Sequence, residues 1–377
     1  MFFPKNENAE LYAGTDGKVL CMSKCKLYQG CLTQKMLPSG KGEKRILIVA
    51  EAPGEKEDEK GIQLVGRAGR FLSDCLRDRG YDLERDCWKT NAVCCRPPNN
   101  RKPSDLEISA CRPYLYSAIR QFSPHVIMLM GGTAVTSFLG HRWDGKVDGI
   151  NKWRGWCIPD QDVQAWVCPM WHPSYVLRME DPVVDLIFEK DLSRALKCLN
   201  LDPVDKVDYK AHVEILTGHE DILHVLKNLE NMGSPFAFDY ETTGLRPEGS
   251  LHRVVTTSVA NTELAWAWEV PVEDKEYDTA WKSFLTSHAM KVAANLKFEE
   301  SWSRVKYGTR VVNWVWDTML SAHEMDNRPK VTGLKFQVYV NFGVIDYSST
   351  VKGLLKSDAS AKDKDGANAQ QTGRTCD

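Results

Sequence analysis

The chain has 377 residues, more than one globular core usually holds, so two or three domains are expected. Hydrophobic residues make up 42% and charged residues 27%, which excludes a disordered or fibrous chain. The net charge of −2 hides an asymmetry, since residues 1–200 contain 29 Lys and Arg against 25 Asp and Glu, whereas residues 201–377 contain 20 against 26. The first half is therefore suited to a polyanion, and the second half to a carboxylate metal site.

Short apolar runs alternate with helical patterns between residues 40 and 200, which predicts a largely parallel α/β sheet. Glu51, Asn91, Gly131 and His172 follow predicted strands, and ligands of such sheets bind beyond the carboxyl ends of the strands. We therefore expect a functional site there. The predicted strands are 45–50, 88–93, 125–130 and 164–170, and the predicted helices are 71–79, 105–121 and 134–139.

A polar segment with a proline, residues 201–211, predicts a linker after a first domain of residues 1–200. Residues 212–356 then predict three antiparallel strands followed by α/β units, which suggests an RNase H-like domain with a mixed sheet. Residues 357–377 are polar and low in complexity, so a disordered tail is expected. The elements predicted in this half are helices 220–232, 279–288 and one ending at 307, with strands 235–241, 253–260, 264–270, 291–295 and 311–317.

Secretion and membrane insertion are not expected. No apolar run approaches the roughly 18–20 residues that span a bilayer, and no signal peptide opens the chain. We therefore expect a cytoplasmic protein in which thiols stay reduced, so that clustered cysteines indicate metal or cluster ligation rather than disulfides. Eleven of the twelve cysteines precede residue 200. Those expected to be small buried hydrophobic residues without ligand spacing are Cys75, Cys87, Cys157, Cys168 and Cys198.

Four other cysteines are candidate ligands: Cys21, Cys25, Cys95 and Cys111. Four thiolates from one chain can hold zinc or a cubane iron–sulfur cluster. Zinc sites usually show two close cysteine pairs, whereas two of these cysteines are isolated. Spacing alone leaves a cluster, a zinc ion and no site as alternatives. Two further thiols could replace an assigned ligand: Cys31 and Cys94.

Several motifs of the first half resemble those of the family 4 uracil-DNA glycosylases. They occur in the family's order and spacing between about residues 21 and 199. The motifs are AEAPGEKED at 50–58, GIQLVGRAG at 61–69, TNAVCCRPP at 90–98, CRPYL at 111–115 and HPSYVLR at 172–178. The resemblance implies a three-layer αβα domain with a central parallel sheet. It also implies a [4Fe-4S] cluster on Cys21, Cys25, Cys95 and Cys111. The Cys21–Cys25 interval is one residue longer than usual, which leaves Cys31 as a substitute.

The resemblance assigns roles to the residues at the strand ends. His172 would donate a hydrogen bond to the oxygen of the departing uracil, whose negative charge must be stabilised. Asn91 would recognise the base, because a carboxamide offers both a donor and an acceptor. Glu51 and the backbone amide of Ala52 would form the pocket floor and position the base and a water. Glu57 would shape the pocket against the methyl group of thymine.

One pocket position departs from the family. Leu64 stands where an aromatic residue usually stacks on the flipped uracil, and we expect weaker binding rather than lost chemistry. Contacts to DNA phosphates, which would make the affinity salt-dependent, are expected from Arg96, Arg101, Lys102 and Arg178.

Carboxylates in the second half resemble the proofreading 3′–5′ exonuclease domain of DNA polymerase I, a DEDD nuclease that uses two metal ions, over about residues 236–343. Asp239 and Glu241 match its first motif, and two carboxylates at i and i+2 on a strand share one face. Glu299 stands where the family usually has Asp and could still bind Mg²⁺ or Mn²⁺. The family's last motif, a Tyr three residues before an Asp, is not found. Either the chain is a truncated form of a longer protein, or this domain binds DNA without cutting it.

The leading hypothesis is a monomeric DNA-repair hydrolase that removes flipped uracil from DNA and is fused to an exonuclease-like module. A non-catalytic DNA-binding accessory factor is the first alternative, supported by Leu64 and the missing exonuclease motif. The other alternative is an exonuclease whose glycosylase half only docks on damaged DNA.

Overall fold

The computed structural model describes residue 21 and residues 25–143, 146–231 and 233–345. The chain divides into two compact units, one that extends to Val204 and includes the described residues from Tyr339, and one formed by Asp205–Val338. The change of unit after Val204 falls inside the segment predicted as a linker. The predicted tail, residues 357–377, lies outside the described residues.

The sheet of the first unit has the order β2-β1-β3-β5-β4, and its first four strands are parallel. At the edge of this sheet, the short β4 pairs antiparallel with β5. Every residue of β1 and β3 is buried, as the continuous apolar runs predict for strands covered on both faces. The strands are β1 (Ile46–Ala50), β2 (Cys87–Asn91), β3 (Val126–Met130), β4 (Ile158–Asp160) and β5 (Ala165–Met170).

Helices cover both faces of this sheet and make it the central layer of a three-layer αβα unit. Residues of α2 and α7 pack in one apolar core with Ile46, Met128 and Met170 of the sheet. The N-terminus of α3 is fixed by a capping box in which Ser104 and Glu107 bond to each other's backbone amides. The helices are α1 (Glu55–Lys60), α2 (Arg67–Arg77), α3 (Asp105–Phe122), α4 (Gly132–Leu139), α5 (Ile150–Trp153), α6 (Pro173–Met179) and α7 (Pro182–Lys197).

The sheet of the second unit has the order β11-β10-β7-β8-β9-β6. The strands β7, β8 and β9 are antiparallel, and β10 and β11 extend the sheet in parallel, as an RNase H-like fold requires. The strands are β6 (Val213–Leu216), β7 (Phe236–Thr242), β8 (Val254–Ala260), β9 (Ala265–Glu269), β10 (Lys291–Ala293) and β11 (Trp314–Asp317). The helices of this unit are α8 (His219–Asn231), α9 (Lys275–Thr286), α10 (Lys297–Lys306) and α11 (Thr318–Met325). The boundary between the units after Val338 falls inside a further helix, α12 (Leu334–Phe342).

Strand β7 separates the core of the second unit from its carboxylates. Phe236, Phe238 and Tyr240 alternate into an aromatic core, while Asp239 and Glu241 lie on the other face. Within the described part of the chain, no helix combines the length and the apolar character needed to cross a membrane.

Candidate functional site

A cavity of about 470 Å³ lies at the carboxyl ends of the parallel strands in the first unit. Glu51, Asn91 and His172, which the sequence assigns to three different strand ends, all line it. Of the other residues predicted to bind base or phosphate, those that also line the cavity are Ala52, Glu57, Leu64, Arg101 and Arg178, whereas Arg96 and Lys102 do not. One site thus contains all the residues predicted to act on the base.

His172 connects β5 to α6 and caps the helix. Its Nδ1 accepts a hydrogen bond from the Ser174 backbone amide at 3.1 Å and lies 2.8 Å from the Ser174 hydroxyl oxygen. Because Nδ1 is an acceptor, the ring proton of the neutral imidazole is on Nε2. Burial, with a smaller effect from the charge of Arg178, lowers the pKa of His172 to about 4. At neutral pH this side chain is a neutral hydrogen-bond donor through Nε2.

Gly131 allows the chain after β3 to approach this histidine. Its φ of +88° lies in the region that favours glycine, and a Cβ there would stand 3.2 Å from the Cβ of His172. The Gly131 amide also donates to the carbonyl of Met170, at the end of β5. A side chain at position 131 would therefore both strain the backbone and displace His172.

Glu51 and Asn91 are held beside each other by strand register. Ala50 of β1 pairs with Asn91 of β2, which places Glu51 directly after the paired residue. The Thr133 hydroxyl donates to Oε2 of Glu51 at 2.8 Å and fixes the carboxylate. Asn91 is buried, and its Nδ2 lies 3.9 Å from the sulfur of Met36. The carboxylate and the carboxamide are both positioned before any substrate binds.

The segment around Leu64 forms a rigid wall of the cavity. Oε1 of Glu57 accepts a hydrogen bond of 2.7 Å from the Gly66 amide. Leu64 is buried with a φ of +58°, a left-handed conformation that is costly for a branched aliphatic side chain. Gly69 is required here because a Cβ would lie 1.7 Å from the Leu64 carbonyl oxygen.

We expect the Leu64→Phe variant to bind uracil-containing DNA about 5- to 100-fold more tightly than the native chain, with little change in kcat. An aromatic ring adds base stacking, which contributes about 1–3 kcal/mol per base. Dissociation constants from fluorescence anisotropy and single-turnover rates would test this. Leu64→Ala is the matched control and should bind more weakly, and equal affinities for the native chain and the phenylalanine variant would contradict a stacking position.

The pH dependence of kcat should contain no inflection near pH 6.5, the ordinary pKa of a histidine. Because the folded-state pKa of His172 is about 4, its imidazole stays neutral from pH 8 down to pH 5. The unfolded chain binds more protons between pH 4 and 6.5, so the histidine's contribution to stability is lost as the pH falls through that window. A pH–rate profile measures the first effect and unfolding experiments between pH 4 and 7 measure the second, and a kcat that follows a pKa near 6.5 would refute the neutral imidazole.

The predicted phosphate-binding cations differ in their surroundings. Arg101 donates to both carboxylate oxygens of Glu107 at 2.8 and 2.6 Å, and Arg96 lies 3.3 Å from Glu55. Arg178 lies 3.3 Å from the Ser174 hydroxyl and borders the cavity. Three residues that line the cavity were not singled out from the sequence: Arg67, Tyr175 and Asn100. Arg67 and Tyr175 lie inside two of the quoted motifs.

The four predicted cluster ligands lie in one region of the first unit. Cys95 and Cys111 are buried in an apolar cluster with Val93 and Ile108, and Cys21 and Cys25 each interact electrostatically with Cys111. The Lys35 amide donates to the sulfur of Cys95 at 3.3 Å. Both predicted substitutes lie in the same region, since Cys94 belongs to this apolar cluster and Cys31 packs against it. This sulfur-rich group has the donor chemistry of an iron–sulfur or zinc site.

Three cysteines predicted to be small buried hydrophobic residues are brought together. The sulfur atoms of Cys157, Cys168 and Cys198 lie pairwise within 4.8 Å of one another, and Cys168 and Cys198 are buried as predicted, whereas Cys157 is half-buried. Their spacing along the chain does not show this grouping, because it depends on the pairing of strands β4 and β5. The signal in the sequence was the position of Cys157 and Cys168 on either side of a tight hairpin.

In the second unit, Asp239 and Glu299 face each other. Burial, followed by the charge of Asp239, raises the pKa of Glu299 to about 8. The Oε2 atom of Glu299 is buried and has no hydrogen-bond partner among the described residues. Glu241 lies on the same face of strand β7 as Asp239. The carboxylate of Asp317 accepts hydrogen bonds from the backbone amides of Asn295 and Leu296. Among the described residues, the oxygens of Asp239, Glu241 and Glu299 do not all lie within 4.8 Å of one another, so the ligands offered to a hard divalent cation are the orphaned oxygen of Glu299 and the facing Asp239.

Comparison with known proteins identifies the first unit. The model of the uracil DNA glycosylase superfamily matches residues 37–196, and the fold and cavity place the unit in this class of hydrolases. A type-4 uracil-DNA glycosylase of Thermotoga maritima is 40% identical over 163 residues, which are 43% of this chain and 82% of that protein. The chain belongs to the type-4 uracil-DNA glycosylase family, as its motifs predict.

Similarity to a DNA polymerase covers more of the chain than the similarity to the glycosylase. A DNA polymerase of Bacillus phage SP01 is 25% identical over 320 residues, which cover 77% of this chain and 33% of that polymerase. The crystal structure of Escherichia coli RNase D, an exoribonuclease, aligns with 37% of this chain and 36% of its own, at a TM-score of 0.31 and 14% identity. The chain therefore joins a unit of the type-4 uracil-DNA glycosylase family to a second unit built on a mixed six-stranded sheet.

Proposed function

We propose that the chain is a DNA-repair enzyme that hydrolyses the N-glycosidic bond of uracil in DNA and leaves an abasic site. The observation that carries the proposal is the single cavity lined by Glu51, Asn91 and His172. Its volume of about 470 Å³ is enough for one base, so the substrate nucleotide would enter by flipping out of the DNA.

Cleavage of this bond expels an anionic base and leaves positive charge on the sugar. The proton on Nε2 of His172 would stabilise the developing charge on a uracil oxygen without a proton transfer, because the ring is already neutral. Glu51, fixed by Thr133, would align the attacking water and stabilise the sugar cation. Neither step requires a change in protonation before the bond breaks.

Base selection would come from the same cavity. Asn91 can donate to one uracil atom and accept from a neighbouring one, a pattern that the exocyclic amine of cytosine reverses. Glu57 and Leu64 would limit the space beside the ring and disfavour the thymine methyl group. Arg101, Lys102 and Arg178 would bind phosphates of the strand, and Arg96 would add charge at the edge.

A gel assay with uracil-containing single- and double-stranded oligonucleotides tests this function. We expect cleavage after alkali treatment at the uracil position only, and no cleavage of the matched thymine oligonucleotide. Binding without alkali-labile sites would instead support the non-catalytic accessory factor.

We further propose that Cys21, Cys25, Cys95 and Cys111 hold a [4Fe-4S] cluster, because four converging thiols suit this group. The cluster would fix the segment before β1 against α3. Anaerobically purified protein should be brown and contain four irons per chain, and Cys111→Ser should lose them while Cys75→Ser keeps them. Colourless protein with one zinc would overturn the assignment, and retention of iron in a Cys25→Ser variant would point to Cys31.

For the second unit we propose that Asp239, Glu241 and Glu299 bind a divalent cation. The unit would then be a 3′–5′ exonuclease-like module that acts on DNA. The buried, unpartnered Oε2 of Glu299 favours this reading. Calorimetry with Mn²⁺ should show binding that Glu299→Gln weakens at least tenfold and Glu300→Gln does not. A Mn²⁺-dependent ladder on 5′-labelled DNA would establish cutting, whereas binding without a ladder would establish a DNA-binding module.

A further inference from the structure

Three sulfur atoms converge at the edge of the first unit's sheet. Cys157 immediately precedes β4, Cys168 lies in β5, and Cys198 follows the last residue of α7. The register Ile158 to Val167, continued by one residue, places Cys157 opposite Cys168. The three sulfurs come from the residue before β4, from β5 and from the end of α7, and they lie within 4.8 Å of one another.

The surroundings of this group, which we name the thiol triad, distinguish it from the cysteines near Cys111. None of its three members lines the cavity of the candidate active site. Cys168 and Cys198 are 2% exposed, whereas Cys157 is half-buried and leaves one side open. The guanidinium of Arg194 lies close enough to interact electrostatically with the Cys157 sulfur.

We propose that Cys157, Cys168 and Cys198 form a binding site for a single soft d¹⁰ cation, Zn²⁺ being the ion that suits it best. Thiolates select zinc and monovalent copper over hard cations. Sulfurs bound to one tetrahedral zinc at about 2.3 Å lie about 3.8 Å apart, so the observed separations need to close by at most about 1 Å. A cubane cluster, by contrast, takes four thiolates.

Zinc binding at this site balances in protons and charge. Each thiol releases its proton to solvent as its bond to zinc forms, and three thiolates with Zn²⁺ carry one net negative charge. Arg194 offsets that charge. A water reaching the open side at Cys157 completes the fourth position. The bound ion joins β4, β5 and the end of α7, and we expect it to raise the melting temperature.

The test uses the full chain with its other cysteine site loaded. After incubation with Zn²⁺ and gel filtration, the native chain should retain one more zinc than the Cys168→Ser variant, and Cys75→Ser, which removes a buried thiol of the same core, should match the native chain. Cd²⁺ used as a probe should produce ultraviolet sulfur-to-metal charge-transfer absorbance that Cys198→Ala abolishes. Equal zinc in the native chain and Cys168→Ser would overturn the proposal.

A measurement on the native chain keeps the test valid if a variant fails to fold. Zn²⁺ should slow the alkylation of Cys157 by N-ethylmaleimide at least tenfold, as followed by peptide mass spectrometry. An unchanged rate refutes the site. A mass loss of two hydrogens with Cys157 and Cys168 in one cross-linked peptide would show a disulfide instead, and would likewise overturn the proposal.

Discussion

The His172→Ala variant is expected to release uracil about 10²- to 10³-fold more slowly than the native chain, while its affinity for uracil-containing DNA changes only a few-fold. One preorganised donor to a developing negative charge contributes about this much to kcat. The donor acts mainly in the transition state, when the uracil oxygen carries charge, so binding of the neutral base is little affected. Single-turnover kinetics and anisotropy measure the two quantities separately.

His141→Ala is the matched control for this experiment. Burial also lowers the pKa of His141 to about 4, but its ring packs against Tyr116 and does not line the cavity. Its removal should leave kcat unchanged. If His172→Ala reduced binding and turnover by the same factor, the histidine would be a binding residue and the transition-state role would be wrong.

The Asn91→Ala variant is expected to lower kcat/KM for uracil about 10- to 100-fold without changing the affinity for abasic DNA. A carboxamide that pairs with two atoms of a base contributes about 1–3 kcal/mol of discrimination. Abasic DNA keeps the phosphates but lacks the base, so only the uracil substrate should lose a contact. Steady-state kinetics and binding to both DNAs provide the comparison.

Asn200→Ala removes an exposed carboxamide at the end of the first unit and should leave both quantities unchanged. Equal losses of affinity for uracil-containing and abasic DNA in the Asn91→Ala variant would show that Asn91 supports the fold or the strand path. That result would move base recognition to other residues of the cavity.

The parallel strands of the first unit could be predicted because burial on both faces requires continuous apolar runs. β1 and β3 begin one residue later than predicted and end where predicted, and β5 does the same. These ends place Glu51 and His172 at one edge, whereas the strand before Asn91 was predicted as 88–93 and the observed β2 ends at Asn91 itself. The site followed from topology, since parallel strands end on the same side.

Elements without an apolar period were missed. The sequence of α1 is Glu-Lys-Glu-Asp-Glu-Lys, in which only Asp58 is buried, so no hydrophobic stripe marks a helix. α6 begins with Pro173, which can occupy the first turn of a helix as well as a turn. α7 was also not predicted, although its buried Val184, Phe188 and Leu192 follow a helical period. Local patterns therefore did not indicate the helical cap that orients His172.

Side-chain contacts were the other limit. The sequence did not show that the guanidinium of Arg101 pairs with Glu107, which also caps α3. A sequence shows both residues but not that they meet. The convergence of Cys198 with the hairpin cysteines is likewise produced by the packing of α7 on the sheet.

The left-handed backbone of Leu64 fits here only because Gly69 has no side chain, and this affects which bases the cavity could accept. If the cavity binds a flipped base as proposed, this wall would exclude a base with a larger ring by its shape. The conformation of the wall is already set in the folded chain, so binding a nucleotide would require little further loss of conformational entropy in this loop.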